Sequence, residues 1–341
     1  VATLRKLWRN YVFQRLVKAV IVIFAVTTLT FFLVRLMPGN PLEVYINALL
    51  SQGVPLADAQ AQAAALYHVD LNKPVMLQYV EYLSGVVRGN FGTSITAVGT
   101  PVSKLVLQFL PWTLFVVMVS LIISFSVGLL LGMVMAYKRE TWFDHLLSAF
   151  ASVMSSVPNY LVGMLILVYL GVRWKIVDTA AIRGSHSPDI HPGFTLTFFL
   201  DALYHATLPI LTYVLTTLGH WMLVMKSSTL STLGEDYVTV ARARGLTDAR
   251  ITLAYVGRNA VLPLFTQLAL SIGSAVGGSI LIETIFTYQG IGSQLSLAMV
   301  GRDYPVMQGV FIIITASVVT ANLLADMLYS RLDPRIRVQG R

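Results

Sequence analysis

Residues 112–137 read WTLFVVMVSLIISFSVGLLLGMVMAY, a stretch without one charged side chain. The hydrocarbon core of a bilayer is about 30 Å thick and a helix rises about 1.5 Å per residue, so roughly 20 apolar positions cross it. Five further stretches have the same character, over approximately 16–37, 146–172, 203–225, 261–284 and 306–329, each bounded by charge, Pro or Gly. Composition agrees: of 341 residues, 56% are hydrophobic and 12% charged, with a mean hydropathy of +0.71. A soluble chain carries roughly a quarter charged residues. The expected fold class is an all-α polytopic membrane protein with six transmembrane helices, and disorder, coiled coil and collagen are excluded. The first stretch is too long for a removable signal peptide and lacks a small-residue cleavage site, so it is expected to stay as a span.

The net charge of +8 and the pI of about 9.7 could suggest nucleic acid, but in a membrane chain Lys and Arg mainly set orientation. Sixteen of the 24 fall on one side of the six spans, in 1–18, at Lys138 and Arg139, from Lys226 to Arg258, and from Arg331 to the end. That side is expected to be cytoplasmic, with both termini on it. No nucleic-acid partner is expected; membrane lipid is. The absence of cysteine removes disulfides, thiolate zinc sites and cysteine nucleophiles.

Four parts follow. Residues 1–37 hold the N-terminus and first span, 38–111 a small external subdomain, 112–330 the core with the remaining spans, and 331–341 a cytoplasmic tail. The external part carries PGNP, a helical stretch near Ala57–Leu66, amphipathic spacing over Leu71–Val87, and RGNFGTSI. Within the core, the cytoplasmic connection 227–260 is polar and helical rather than Gly/Ser-rich. There Glu235, Asp236 and Tyr237 open a short helix through Ala243, Gly245 is placed to stop it, and Thr247 and Asp248 can cap a second helix running toward Pro263. Such an elbow is either a handle for a soluble motor or a basic loop on anionic headgroups.

The segment EDYVTVARARGLTDARITLAYVGRNAVLP, 235–263, resembles the EAA-type loop of type I ABC importer permeases in the longer form of the dipeptide/oligopeptide branch. Thr239 and Val240 stand where Glu and Ala are usual, and Gly245 is farther from Pro263 than in the general pattern. Further likenesses are RLMPGNP at 35–41, LNKPVMLQYVEYLSGVVRGNFGTSI at 71–95, ETIFTYQGIG at 283–292, RDYPVMQG at 302–309 and LDPRIR at 332–337. The external loop is similar to that of the B-type permease subunit. The resemblance implies a heteromeric importer with a homologous second permease, two cytoplasmic ATP-binding subunits and an external substrate-binding protein, working by alternating access. Relatives carry di- and oligopeptides, and some carry glutathione, nickel complexes or oligosaccharides. It further implies that Glu235, Asp236, Tyr237, Ala241, Ala243, Arg244, Gly245, Leu246, Thr247 and Asp248 belong to the region that couples to an ATPase. The sequence lacks the GxxxxGK[ST] phosphate loop, so no cofactor is expected on this chain, and ATP and Mg are expected on the partners.

Candidate gate and path residues come from polar or small groups in apolar surroundings. Glu283 near the external end of the fifth span is costly there unless functional; with Tyr288, Gly290 and Gly292 the resemblance places it in the external gate, while an interfacial glutamate reaching headgroup water is the plain alternative. Ser274, Gly277 and Gly278 serve either helix packing or pore lining. Ser155, Ser156, Pro158 and Asn159 form a polar, Pro-broken stretch that suits a cavity better than lipid. Asp326 is expected to pair with Arg331 and Arg335. His205 and His220 on the fourth span are expected to be hydrogen-bonded between helices, and His186 and His191 to sit in a solvated loop without metal. No catalytic residues are assigned, because no Ser/His/Asp or paired-carboxylate spacing supports a hydrolase. A stand-alone secondary transporter or channel is the competing class; it should show internal repeats and intramembrane charges.

Overall fold

The computed structural model describes residues 11–36, 41–67, 74–97 and 99–332, and every element named along them is a helix. In chain order these are α1 (Tyr11–Leu36), α2 (Pro41–Ser51), α3 (Leu56–Tyr67), α4 (Val75–Val87), α5 (Val102–Tyr137), α6 (Trp142–Ser156), α7 (Asn159–Arg173), α8 (Leu196–Leu233), α9 (Asp236–Ala243), α10 (Asp248–Ala260), α11 (Leu262–Ile285), α12 (Ile291–Val300) and α13 (Tyr304–Leu332). α7 and α10 contain π-helical stretches, Leu167–Arg173 and Ile251–Gly257. The PGN of 38–40, the N-terminal cations before Tyr11 and the tail after Leu332 lie outside the described residues, as do the side chains of Asp326, Arg331 and Arg335 and hence their expected ion pair.

Among the described residues four helices are long and apolar enough to cross a membrane, in α1, α5, α8 and α13; with the pairs α6/α7 and α10/α11, each bent at a short break, counted as one span apiece, the number is six. The spans differ from their expected bounds in instructive ways. The second begins at Val102, not 112, because Pro111 lies inside a continuous helix, as Pro209 does in α8. The third is broken: Val157 is extended (φ −83°, ψ 127°) before Pro158, and the axis turns by 102°. A proline disfavours helical geometry in the residue before it, which favours a break at this position. α8, at 38 residues, is about 57 Å long and overruns a bilayer.

Residues up to Pro111 with Gly290–Val319 form one compact unit. The helices expected near 57–66 and 71–87 are α3 and α4, and α2 precedes them. Phe31 of α1 packs against Tyr79 and Tyr82 of α4, with ring centroids 5.1 and 5.2 Å apart, and the Thr28 and Tyr79 hydroxyls lie 2.7 Å apart. The loop after α4 is tied to the start of α13 by Asp303. Its Oδ2 accepts hydrogen bonds from Ser94 Oγ (2.5 Å), Ile95 N (2.9 Å), Thr96 Oγ1 (2.9 Å) and Thr96 N (3.0 Å).

The second unit comprises Trp112–Gln289 and the residues from Thr320 onward. α8 runs through it against α6, α7 and α11. Gly128 and Gly132, a GxxxG pair on α5, bring that helix close to α8: a Cβ at Gly128 would stand 2.4 Å from Trp221 Cβ, and one at Gly132 would stand 2.5 Å from the Met222 carbonyl oxygen. Met135, Ala151, Leu218 and Met222 close the core beside them. Lys226 Nζ, 2.5 Å from Asp144 Oδ1 and 3.0 Å from Ser148 Oγ, ties the end of α8 to the start of α6. Gly132→Leu should therefore prevent stable packing, since overpacking costs about 1–3 kcal/mol even against movable side chains and this neighbour is backbone. Size-exclusion profiles of the solubilised complex check this; a monodisperse wild-type profile would contradict the packing.

Candidate functional site

The elbow is built on a small core of its own. α9 begins after Glu235 and places Asp236 in its first turn and Arg242 in its last, charges that complement the helix dipole. Val238 and Ala241 are buried against Ile251 and Val256 of α10, with Leu233, Leu246 and Tyr255 around them. Asn259 Nδ2 donates to Tyr237 Oη (3.1 Å) and to the Tyr255 carbonyl (2.7 Å), and Ser228 Oγ donates to the Ala260 carbonyl (2.7 Å). The turn is made by Gly245 at φ +72°, where a Cβ would meet nothing within 4 Å. The backbone conformation, not crowding within the chain, is what requires glycine there. Thr247 takes the N-cap position of α10 without a side-chain capping bond, so the expected cap is made by backbone geometry alone. Of the coupling candidates, Ala241 is interior and holds the elbow together, and Leu246 is half-buried. Glu235, Asp236, Tyr237, Ala243, Arg244, Gly245, Thr247 and Asp248 are exposed and form its outer surface.

A cavity of about 270 Å³ opens in the second unit where α6 breaks into α7. Ser155 and Asn159 line it, as does a stripe of α8, Tyr213, Thr216, Thr217 and His220, with Ser271 and Ala275 from α11. Pro158 makes the break that leaves this room. Ser156 is exposed, gives its hydroxyl hydrogen to the Ser152 carbonyl and does not line the cavity. Gly277 is exposed with open space around it, and the surroundings of Ser274 and Gly278 lie outside the described residues. His220 makes no interhelical hydrogen bond among the described residues; it faces the cavity beside Trp221, its ring edge-on at 5.2 Å.

Glu283 is 1% exposed, so it is not an interfacial glutamate reaching headgroup water. Thr113 Oγ1 donates to its Oε1 at 2.6 Å, and Tyr213 and Tyr288 lie within its electrostatic reach. The Tyr288 amide donates to the Glu283 carbonyl (2.8 Å), closing the helix end under a buried Tyr288 ring. Gly290 and Gly292 are also buried, at the start of α12, a ten-residue apolar helix too short to span. Glu283→Leu should lower thermal stability by about 1–3 kcal/mol because it removes a buried hydrogen bond to a carboxylate, whereas Glu283→Gln keeps an acceptor and should cost less. Unfolding midpoints of the two variants decide it, and equal midpoints would refute the role of this bond.

The fold also brings together a Ser, His and Asp set that spacing did not suggest. Ser187 Oγ donates to Asp201 Oδ1 (2.7 Å) and lies 3.2 Å from His205 Nε2, while the Ser187 amide donates to Asp201 Oδ2 (2.8 Å). It is not a hydrolytic triad. The serine hydrogen goes to the carboxylate rather than to the imidazole, and Asp201 stands at the same ring nitrogen as the serine, 3.6 Å from Nε2. His205 Nδ1 is buried without a partner among the described residues. His205 is thus bonded to a loop and not to another spanning helix. His186 stacks on Trp112 at 5.2 Å, and His191 is exposed.

Residues 128–338 match the family described as binding-protein-dependent transport system inner membrane component, and residues 8–116 match its N-terminal companion. The chain belongs to this family. The permease is therefore a multi-pass inner-membrane transport component. It is 34% identical to the di/tripeptide transport system permease protein of Pseudomonas aeruginosa, over 97% of this chain and 99% of that one. It is 32% identical to the dipeptide transport system permease protein of Escherichia coli K12 and 31% identical to the oligopeptide transport system permease protein of Bacillus subtilis, each over 96% of this chain and 98% of the relative. In fold it is similar to a chain of the methionine ABC transporter MetNI in its inward-facing conformation, with a TM-score of 0.55 at 16% identity, over 67% of the permease and 97% of that chain. The type I importer fold expected from the sequence is thereby established.

The residues that sequence reasoning missed are chiefly those of α8. Tyr213, Thr216, Thr217 and His220 follow i, i+3, i+4, i+7 spacing, the signature of one helix face, so the stripe was available as a periodic polar signal. It was hidden because single Thr and Tyr residues are common in apolar helices. Only the facing Ser155 and Asn159, across the break, make the stripe a wall.

Proposed function

We propose that this permease forms half of the translocation path of an ATP-driven importer for di- or oligopeptides. It would work with a homologous second permease, two ATP-binding subunits that carry the ATP and Mg, and an external substrate-binding protein. The observation that carries the reading is the elbow: a short helix with its own buried core and a solvent-exposed polar rim, joined directly to the helices that wall the cavity. A rigid handle of this kind transmits a partner's movement into α8 and α11. Peptide cargo is supported by the names of the full-length relatives, and the cytoplasmic placement of the elbow and both termini by the distribution of Lys and Arg. In this reading Glu283, Tyr288, Gly290 and Gly292 belong to the external closure, and Ser155 and Asn159 to the path.

Affinity purification of the permease from its native membrane tests the assembly. A second permease and ATP-binding subunits should co-purify, and the reconstituted complex should accumulate peptide only with ATP and binding protein. A chain that purifies alone and transports without ATP would establish the secondary-carrier alternative instead.

A further inference from the structure

The hydroxyls around the cavity share one feature. Ser155 Oγ donates to the Ala151 carbonyl (2.7 Å), Thr216 Oγ1 to the Thr212 carbonyl (2.9 Å), Thr217 Oγ1 to the Tyr213 carbonyl (2.7 Å), and Tyr213 Oη to the Ala275 carbonyl (3.3 Å). A hydroxyl has one hydrogen to give and two lone pairs to offer. In all four, as in Ser271, whose hydrogen goes to the Gln267 carbonyl (2.8 Å), the hydrogen is already spent on the backbone, so each presents the cavity with acceptor oxygen only. Among the described residues no Asp, Glu, Lys or Arg lines the cavity. The hydroxyl face of this wall welcomes hydrogen-bond donors. It holds them without an ion pair, weakly enough for a passing cargo to leave.

We infer that this cavity is a subsite for N–H groups, the ammonium end and amide hydrogens of its cargo, held by the outward lone pairs of Ser155, Tyr213, Thr216 and Thr217. Asn159, His220 and Trp221, whose buried Nε1–H has no partner among the described residues, are the lining side chains that can donate, and they mark where a carbonyl or carboxylate is received. The inference rests on the path reading above and adds a chemical preference to it.

The chain has no cysteine, so a single introduced thiol is the only one on the permease, and its modification is read by mass spectrometry of that chain. Ala275→Cys places one on the wall, in a position whose side chain makes no hydrogen bond. In the reconstituted complex its modification by an ethylammonium methanethiosulfonate is compared with that by the ethylsulfonate reagent, each normalised to free cysteine. The ammonium reagent should be favoured by about tenfold, the scale of a charge-assisted hydrogen bond. The preference should fall toward unity when Ser155→Ala and Thr217→Val remove two of the acceptors, and should survive Thr217→Ser. Equal normalised rates in the Ala275→Cys protein, or a ratio unchanged by loss of the acceptors, would overturn the subsite. Failure of both reagents in every nucleotide and binding-protein state would instead show that water does not reach the cavity, which defeats the path reading itself.

Discussion

Asp303→Ala is expected to release the loop after α4 while leaving the spanning helices intact. Asp303 is fully buried, and its Oδ2 gathers two backbone amides and two hydroxyls from Ser94, Ile95 and Thr96, while Oδ1 accepts from Val306 N at 3.3 Å at the start of α13. Alanine supplies none of these acceptors. A buried donor left unsatisfied costs about 1–3 kcal/mol, and loss of an N-cap adds about 1 kcal/mol. Local opening of residues 94–96 should become easier by about 3 kcal/mol, which speeds amide exchange there by about 100-fold. Asp303→Asn keeps one acceptor oxygen but turns an NH2 toward donors, so its exchange should fall between the two. Hydrogen exchange followed by mass spectrometry over residues 88–101 measures this directly; protection unchanged in Asp303→Ala would mean that the loop is held by something else.

Much of the architecture could be read from the chain because a bilayer imposes its own length scale. Twenty apolar residues in a row have few alternatives to a spanning helix, and the six stretches correspond to four continuous helices and two bent pairs. What hydropathy does not carry is axis direction. Pro111 and Pro209 lie inside continuous helices while Pro158 sits at a turn of 102°, although all three lack a backbone N–H. The difference is made by packing around each residue, which a linear pattern does not contain. Close approach was likewise present as a motif, Gly128 and Gly132, yet only the opposing Trp221 and Met222 show which helix it admits.

Buried carboxylates were legible as anomalies but not as roles. Glu283 stands out in the sequence as an acid inside an apolar span, and the structure gives it Thr113, a partner 170 positions away. Asp303 stands between Arg302 and Tyr304 in RDYPVMQG; the donors to its Oδ2 are the last two residues of RGNFGTSI and the Thr96 that follows them, more than 200 positions earlier. Interactions of this range depend on the tertiary fold. The elbow, by contrast, was legible almost residue by residue, because its stop and start signals act within one or two turns of the chain.

Gly245→Val should disconnect the ATPase from transport. At φ +72° an L-residue carries about 1–2 kcal/mol of strain, and a β-branched side chain more. The strain would be relieved by moving the turn out of the left-handed region, which changes how α9 meets α10 and shifts the exposed Arg244, Thr247 and Asp248 together. No atom of the permease stands within 4 Å of the added Cβ, so global stability should fall only by this strain and the protein should still insert and assemble its spanning helices. Transport and binding-protein-stimulated ATP hydrolysis should drop by about tenfold or more, since 1.4 kcal/mol of misalignment already amounts to tenfold. Gly245→Ala, with the same backbone requirement and a smaller side chain, should retain an intermediate rate. Thermal unfolding of the solubilised complex, measured beside its ATPase activity, separates a coupling defect from a folding defect. Full stimulation and full transport in Gly245→Val would show that the elbow is not the handle, and that the motor engages the permease elsewhere.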